Sequence, residues 1–429
     1  MNHKKESSPK LVRAVTRWQV VGLSVNDVIG SGVYLLPAAA ALLLGPASMW
    51  AVLIAGCSVG LLVLCFAEAS SYFDKPGGAY LYTKEAFGEF VGFEVGWMTW
   101  LARVTSVASL SAGFALAFGY LWPAATEGWG RALVVTGSLG ILTWINVIGV
   151  KEGAKMAVFL TITKSLPLLI YIGIGIFAIN WELMAVEAPP RTFESLSEAV
   201  LLLLFAYCGF ENTPGAAGEF KNPKRDVPFA LLTMVVIVTV IYTLVQIVAV
   251  GTLPGLAESS SPLAESAAVF SGPALAVLMT LGAMISIFGN VGNSTLVGPR
   301  YLFALAQDGF GHPVLAKVHP RFHTPAIAIL VQSGIALILA LSGSFVELAM
   351  LSIIARLITY VGTVAALPIL RKRFKNKSDA FRLPGGNTIP YLALALCLLF
   401  LVSATVTNLF AGGIALFVGW LIYSLRRKK

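Results

Sequence analysis

Long uninterrupted apolar runs are the feature of this sequence that most restricts its fold. A helix needs about 18 or more apolar residues to cross a hydrocarbon core of roughly 30 Å, and runs of that length recur along almost the whole chain. We count twelve, at approximately 16–44, 46–69, 90–121, 131–150, 155–179, 196–219, 228–251, 273–303, 324–342, 346–370, 389–406 and 408–425. They are continuously apolar and do not alternate as barrel strands do, so we predict an all-α polytopic membrane protein.

The distribution of charge predicts an orientation. The chain of 429 residues has a net charge of +9, which by itself would also suit nucleic acid. With the N-terminus placed in the cytoplasm, however, 24 of the 30 Lys and Arg fall in the termini and the inside loops. This is the positive-inside pattern, so we expect a multi-pass plasma-membrane protein with both termini cytoplasmic and no nucleic-acid partner. The short termini favour a bacterial or archaeal membrane. The first 17 residues show no small-residue cleavage site, so we expect them to be retained.

The sequence offers little for an enzyme or a metal site. Cys57, Cys65, Cys208 and Cys397 all lie in apolar spans, and no CxxC spacing occurs. No HExxH, nucleophile elbow or Walker loop is present either. We therefore expect no catalytic residues, no metal and no cofactor other than a proton as the coupling ion.

Two of the twelve spans are interrupted near the middle of the membrane. The first contains Ile29-Gly30-Ser31-Gly32 and the sixth contains Phe205-Ala206-Tyr207-Cys208-Gly209-Phe210-Glu211. Broken helices at corresponding positions of two halves indicate an inverted-repeat transporter. The freed N–H groups suit a carboxylate and the freed carbonyls suit an ammonium group, so a zwitterionic amino acid fits both. The alternative for Gly30 and Gly32 is close helix packing.

Several short motifs have a recognisable order. They are Ile29-Gly30-Ser31-Gly32, Ala67-Glu68, Pro76-Gly77-Gly78-Ala79-Tyr80, Phe210-Glu211, Asn222-Pro223-Lys224-Arg225-Asp226-Val227-Pro228, Asp308-Gly309, His319-Pro320-Arg321, Thr324-Pro325 and Phe381-Arg382-Leu383-Pro384-Gly385-Gly386. Together they resemble the amino acid, polyamine and organocation (APC) superfamily of permeases from about residue 15 to about residue 400. The resemblance implies a five-plus-five inverted repeat with discontinuous helices 1 and 6. It also implies a cytoplasmic tail at 1–15, a transporter core at 16–380, two added helices at 381–425 and a basic tail at 426–429.

The resemblance also implies a substrate site at the two breaks. Gly30, Ser31 and Gly32 would bind the substrate carboxylate, and the carbonyls of Ile29, Phe205 and Ala206 would bind its amino group. The ring of Phe205 or Tyr207 would lie beside the side chain, a choice the sequence leaves open. Gly209 and Ser294 complete the predicted pocket, although Ser294 could instead serve interhelical hydrogen bonding, as could Ser286, Asn290 and Asn293.

Charges within the spans are functional candidates, because a charge at bilayer depth is costly. Lys164 matches the position at which proton-coupled members of the superfamily replace a sodium site, although it could also snorkel to the interface. Arg103 and Arg356, with Asp27, Glu68, Glu94 and Glu211 as possible partners, could form ion pairs or gates, or could contact substrate. Glu211 could be a proton-sensitive latch or a hydrogen-bonded strut.

These patterns predict secondary active transport of an amino acid by alternating access, with proton symport favoured. The alternatives are an amino acid or polyamine exchanger, and a non-transporting receptor or subunit. A channel is disfavoured because the two broken helices are unlike and no repeated carbonyl filter is visible. We expect the lipid bilayer and a small-molecule substrate to be the partners, without an obligate protein partner.

Overall fold

The architecture was obtained as a computed structural model. It describes residues 15–73, 77–149, 154–185, 192–377 and 380–425, without the side chains of 154–158 and 215–219. The predicted tails at 1–15 and 426–429 therefore lie, apart from Val15, outside the described residues. Over the described ranges every named element is a helix, and the one β pairing is an isolated bridge between Val15 and Phe220.

Sixteen α-helices succeed one another along the described residues. In chain order they are α1 (Arg17–Val28), α2 (Ser31–Leu44), α3 (Ser48–Ser71), α4 (Gly78–Phe87), α5 (Glu89–Gly119), α6 (Gly128–Ile148), α7 (Ala154–Gly175), α8 (Trp181–Met184), α9 (Phe193–Leu204), α10 (Pro223–Thr252), α11 (Pro262–Ser271), α12 (Pro273–Gln307), α13 (Ala326–Ser342), α14 (Phe345–Arg373), α15 (Thr388–Val402) and α16 (Val406–Ser424).

The fold is the predicted all-α polytopic membrane protein. Nine helical stretches of the described chain are long and apolar enough to cross a membrane: Ser31–Ser71, Glu89–Gly119, Gly128–Ile148, Phe159–Ala178, Phe193–Pro214, Pro223–Thr252, Pro273–Gln307, Phe345–Arg373 and Val406–Ser424. Two shorter apolar helices, α13 and α15, occupy the predicted ninth and eleventh spans. The number of twelve crossings, the inverted repeat, the four-part division of the chain and the orientation of the termini stay predictions.

The helices pack in two groups that meet at the broken segments. In one, α3 packs against α9 and α10, and α1 packs against α10. In the other, α5 packs against α6, α12 and α13, which also contact one another. Helices α7 and α14 each contact both groups. The interruption of the first span, between α1 and α2, thus lies where side chains from several helices can reach its freed backbone.

Three helices were not predicted, and the sixth span differs in kind. Helices α4, α8 and α11 are only four to ten residues long, too short for an apolar-run criterion to detect. The sixth span is α-helical only to Leu204 and continues as 3-10 helix over Phe205–Tyr207 and Phe210–Glu219. Gly209 interrupts that stretch with a φ of 125°, a backbone conformation that favours glycine.

Candidate substrate-binding site

A polar cavity lies where the two interrupted helices meet. It encloses about 430 Å³ of empty space, including the part that opens to solvent. Its lining comes from the two breaks and from α5, α12 and α14. The lining residues are Asp27, Val28, Gly30, Ser31, Gly32, Arg103, Ser106, Leu110, Phe205, Ala206, Cys208, Gly209, Asn212, Asn290, Asn293, Ser294 and Arg356.

The N-terminus of α2 faces this cavity. Helix α1 ends at Val28, and α2 begins at Ser31 after a non-helical Gly30 that provides no side-chain cap. The first N–H groups of a helix have no partner within the helix. The Ser31 hydroxyl is also buried and has no hydrogen-bond partner among the described residues. This corner of the cavity therefore offers unsatisfied donors at the positive end of a helix dipole, which is an arrangement that suits an anionic oxygen.

The two breaks touch at Gly32 and Ala206. A Cβ atom at Gly32 would lie 2.5 Å from both Cα and Cβ of Ala206. Real Cβ atoms do not approach so closely, so the contact requires glycine at position 32. Gly32 therefore has both roles that the sequence suggested for it: it packs closely against the second break, and it lines the cavity.

Tyr242 of α10 joins the carbonyls that the breaks release. Its hydroxyl lies 3.2 Å from the oxygen of Val28 and 3.1 Å from the oxygen of Ala206. Its side chain is buried, so the two carbonyls would otherwise lack this donor. One hydroxyl therefore bridges the two interrupted helices.

Lys164 of α7 lies beside the first break, at the end of α1. Its ammonium lies 2.6 Å from Oδ1 of Asn290 and 3.3 Å from the backbone oxygen of Asn26. The residue is 1% exposed, so the side chain ends inside the protein and does not snorkel to the interface. A positive charge is thereby held against the last turn of α1, next to the first break.

Arg103 and Arg356 pair with one glutamate. Arg103 Nη2 and Arg356 Nε both lie 3.2 Å from Glu211 Oε1, and all three side chains are at most 7% exposed. Glu211 Oε2 accepts a hydrogen bond from the backbone N–H of Gly209 at 2.9 Å. Arg103 Nη2 also donates to Oδ1 of Asn212. One carboxylate therefore ties α5 and α14 to the second break.

Asp27 supplies a second carboxylate in the cavity wall. Its Oδ1 accepts a hydrogen bond of 2.8 Å from Nδ2 of Asn293. Asp27 immediately precedes the end of α1, so its charge lies beside the first break. The cavity wall thus combines the Asp27 carboxylate with the guanidinium groups of Arg103 and Arg356.

Four residues predicted for the site or its coupling do not line the cavity. Lys164 and Glu211 lie behind lining residues. The Ile29 carbonyl accepts hydrogen bonds from Ser286 and Asn290, at 3.2 and 3.3 Å, inside the protein. The Tyr207 hydroxyl donates to the backbone oxygen of Val52, and its ring packs on Tyr242.

The remaining predicted residues do line it, including Phe205, whose ring packs edge-on against Phe345. The sequence did not decide between the rings of Phe205 and Tyr207. Phe205 is the one that lines the cavity. Ser294 and both arginines also contribute to the wall.

Three functional candidates were not singled out from the sequence. Ser106 follows Arg103 by three residues, and this helical spacing could have placed both on one face of α5. Asn212 follows Glu211 directly in the second break. Tyr242 gave no signal, because a single tyrosine in an apolar helix is ordinary in a membrane protein.

Comparison with known proteins agrees with this architecture. The amino acid permease family matches residues 15–423. The serine/threonine exchanger SteT of Bacillus subtilis (strain 168) is 32% identical over 95% of each chain. The methylthioribose transporter of the same organism is 27% identical over 99% of this chain and 95% of its own. Its branched-chain amino acid permease BcaP is 27% identical over 98% and 94%. The chain therefore belongs to the amino acid permease family, within the APC superfamily, and is a membrane transporter of amino acid permease type.

Proposed function

We propose that this protein moves an amino acid across the plasma membrane by alternating access, as a proton-coupled symporter. The observation that carries the proposal is the hydroxyl of Ser31, which has no hydrogen-bond partner among the described residues and lies beside the uncapped start of α2 in the cavity. A substrate carboxylate would supply the missing acceptor there. Polyamines lack a carboxylate, so this corner disfavours them.

The amino group of the substrate would bind on the carbonyl side of the breaks. The oxygens of Ile29 and Ala206 each accept protein hydrogen bonds, and Phe205 O accepts from the N–H of Cys208 at 3.2 Å. A carbonyl oxygen has two lone pairs, so those of Ala206 and Phe205 can accept a further donor, whereas the Ile29 oxygen already accepts from both Ser286 and Asn290. The Asp27 carboxylate adds negative charge to the same wall.

Lys164 is the residue we propose for proton coupling. Its ammonium contacts Asn290 on α12 and the backbone of Asn26 on α1, two elements that belong to different packing groups. Loss of the proton would remove the charge that links them, and the empty carrier could then reorient. Reversible protonation would in this way connect proton movement with alternating access. Glu211 is the second candidate, as a latch that holds Arg103 and Arg356 to the second break.

Exchange is the second candidate mode. The observation in its favour is the 32% identity to a protein named as a serine/threonine exchanger. Both modes use the same cavity and differ only in whether the empty carrier can reorient. We further propose that the carrier works without an obligate protein partner and with both termini in the cytoplasm.

The test is uptake by the purified full-length protein in liposomes. A mixed set of radiolabelled amino acids would be offered with and without an inward proton gradient. Accumulation stimulated by the gradient is the expected result. Uptake only into vesicles preloaded with amino acid would replace symport by exchange. Absence of amino acid uptake under both conditions would overturn the proposed function and favour a receptor or subunit.

A further inference from the structure

The charges around the cavity do not balance. The charged side chains that line it, or that hydrogen bond to its lining residues, are three cations and two carboxylates among the described residues. They are Arg103, Arg356, Lys164, Asp27 and Glu211. With their usual charges at neutral pH, one positive charge is left over. Uncompensated charge inside a membrane protein is costly, so the loaded carrier is expected to acquire a negative charge with its substrate.

The surplus can be located on the guanidinium groups. Glu211 Oε1 serves Arg103 and Arg356 together, so two cations share one carboxylate. Arg356 is further occupied by the hydroxyls of Ser106, at 3.0 Å from Nη2, and Ser352, at 3.4 Å from Nη1. These hydroxyls are neutral and offset none of its charge.

Arg103 has the most donor capacity to spare. Both of its hydrogen bonds in the structure leave from Nη2, toward Glu211 and Asn212. A guanidinium carries five N–H donors in a fixed fork, and a carboxylate matches two of them at once. Arg103 lines the cavity and its side chain is only 3% exposed, so a ligand in the cavity is what can reach the remaining donors.

The Arg103 side of the cavity differs from the corner that suits the backbone carboxylate. Arg103 and Ser106 come from α5 and Arg356 from α14, whereas Ser31 begins α2. The two groups of donors therefore come from different helices of the wall. A ligand with two carboxylates can use both.

We propose that the substrate is an amino acid whose side chain carries a carboxylate, held by Arg103 with Arg356 beside it. The inference rests on the proposed function, because it takes an amino acid to be the substrate and assigns its class. A zwitterion would leave the positive charge in place. An acidic amino acid has a net charge of −1 and neutralises the cavity while Lys164 keeps its proton. The loaded, protonated carrier would then reorient without net charge at this site.

The experiment compares acids with their carboxamide isosteres in liposomes. Uptake of labelled glutamate and aspartate is measured in competition with unlabelled glutamine, asparagine and serine. Uptake of the labelled neutral amino acids is then measured in competition with unlabelled glutamate and aspartate. We expect the carboxylate members to be preferred about 10- to 100-fold, the range that hydrogen bonds to a charged group supply. Preference for glutamine, asparagine or serine over the acids would overturn this inference and leave the proposed function standing. Failure of every amino acid would instead overturn the proposed function.

Two variants test the assigned residues. In Arg103→Gln the ratio of glutamate to glutamine uptake is expected to fall toward one, and Arg356→Gln is expected to lower it less. Arg131→Gln is the matched control, because Arg131 binds the backbone oxygens of Ala340 and Gly343 away from the cavity. An unchanged ratio in both cavity variants would overturn the assignment. If either variant fails to fold, the competition profile of the unaltered protein still decides the substrate class.

Discussion

The Lys164 ammonium lies 2.6 Å from Oδ1 of Asn290, which places the buried cation of α7 directly on a residue of the cavity wall. A hydrogen bond of this length between a charged donor and an amide oxygen is short and strong. A change in the charge of Lys164 therefore changes the strength of its hydrogen bond to Asn290. Asn290 in turn donates to the carbonyl of Ile29 at the first break.

Replacement of Lys164 by alanine should separate transport from the proton gradient. Without the ammonium, uptake driven by an inward proton gradient is expected to fall at least about tenfold, the loss of roughly one charge-assisted hydrogen bond. The dependence of the remaining uptake on pH should flatten. Liposome uptake across a series of external pH values measures both effects.

The matched control is Lys317→Ala, since Lys317 is an exposed lysine in the segment between α12 and α13. It should leave uptake and its pH dependence unchanged. Full uptake with an unaltered pH profile in Lys164→Ala would rule out the coupling role.

Gly32 is the second residue at which we expect a substitution to impair transport. Gly32→Ala would drive a methyl group into Ala206, at 2.5 Å from its Cα, and would force the two breaks apart. Overpacking of this kind costs about 1 to 3 kcal/mol, and a displacement of the carboxylate corner should reduce uptake at least about tenfold. Initial rates of uptake at several substrate concentrations provide the measurement.

Gly60→Ala serves as the control for this change, because nothing lies within 4 Å of a Cβ added at Gly60. Gly60 belongs to α3, which contacts α2, the helix of Gly32. Equal uptake by the two variants would show that the contact between the breaks is not needed for transport.

The membrane fold could be predicted because each membrane helix is recognised from one continuous stretch of sequence. A helix in lipid must be apolar for about 18 or more consecutive residues, so nearly every long helix could be found from one stretch of sequence. The two breaks were found for the same reason, since Gly30 and Gly209 lie within apolar runs. Helix α4 was missed because its ten residues carry no such run.

The partners of the buried charges were not predictable, because they depend on contacts between distant parts of the chain. Asp27, Glu68, Glu94 and Glu211 were equivalent candidates for Arg103, and only the fold separates them. Glu211, 108 residues away, is the partner of Arg103. Glu68 instead pairs with Arg371. Both carboxylate oxygens of Glu94 are buried without a partner among the described residues.

Tyr242 should prove important for the geometry of both breaks. Tyr242→Phe removes the hydroxyl that lies within hydrogen-bonding distance of Val28 O and Ala206 O, while it preserves the ring that packs on Tyr207. Loss of a donor to buried carbonyls costs about 1 to 3 kcal/mol, so both the melting temperature and the uptake rate should fall. Thermal unfolding in detergent and liposome uptake measure the two effects.

The corresponding control is Tyr391→Phe on α15, where the side chain is exposed. Its melting temperature and uptake should match those of the unaltered protein. A Tyr242→Phe protein that behaved in the same way would show that other donors satisfy the two carbonyls.

Glu68 should be a main determinant of stability at the end of α3. Its carboxylate is fully buried and accepts hydrogen bonds from Arg371 Nε at 2.7 Å and Nη2 at 2.6 Å. It also accepts from the Tyr72 hydroxyl at 2.8 Å and the backbone N–H of Leu383 at 2.9 Å. One side chain thereby joins α3, the end of α14 and the segment before α15.

Glu68→Gln keeps the shape of this side chain and removes its charge, so Arg371 loses its buried partner. Breaking one side of such a pair costs about 3 to 5 kcal/mol, whereas an exposed pair contributes about 1 kcal/mol or less. Glu85→Gln, which breaks the exposed pair with Arg373, is therefore the matched control. Thermal unfolding should show a large loss for Glu68→Gln and almost none for Glu85→Gln. Equal melting temperatures would mean that the Glu68 pair is replaced by water without cost, and that the buried carboxylate does not stabilise this end of the protein.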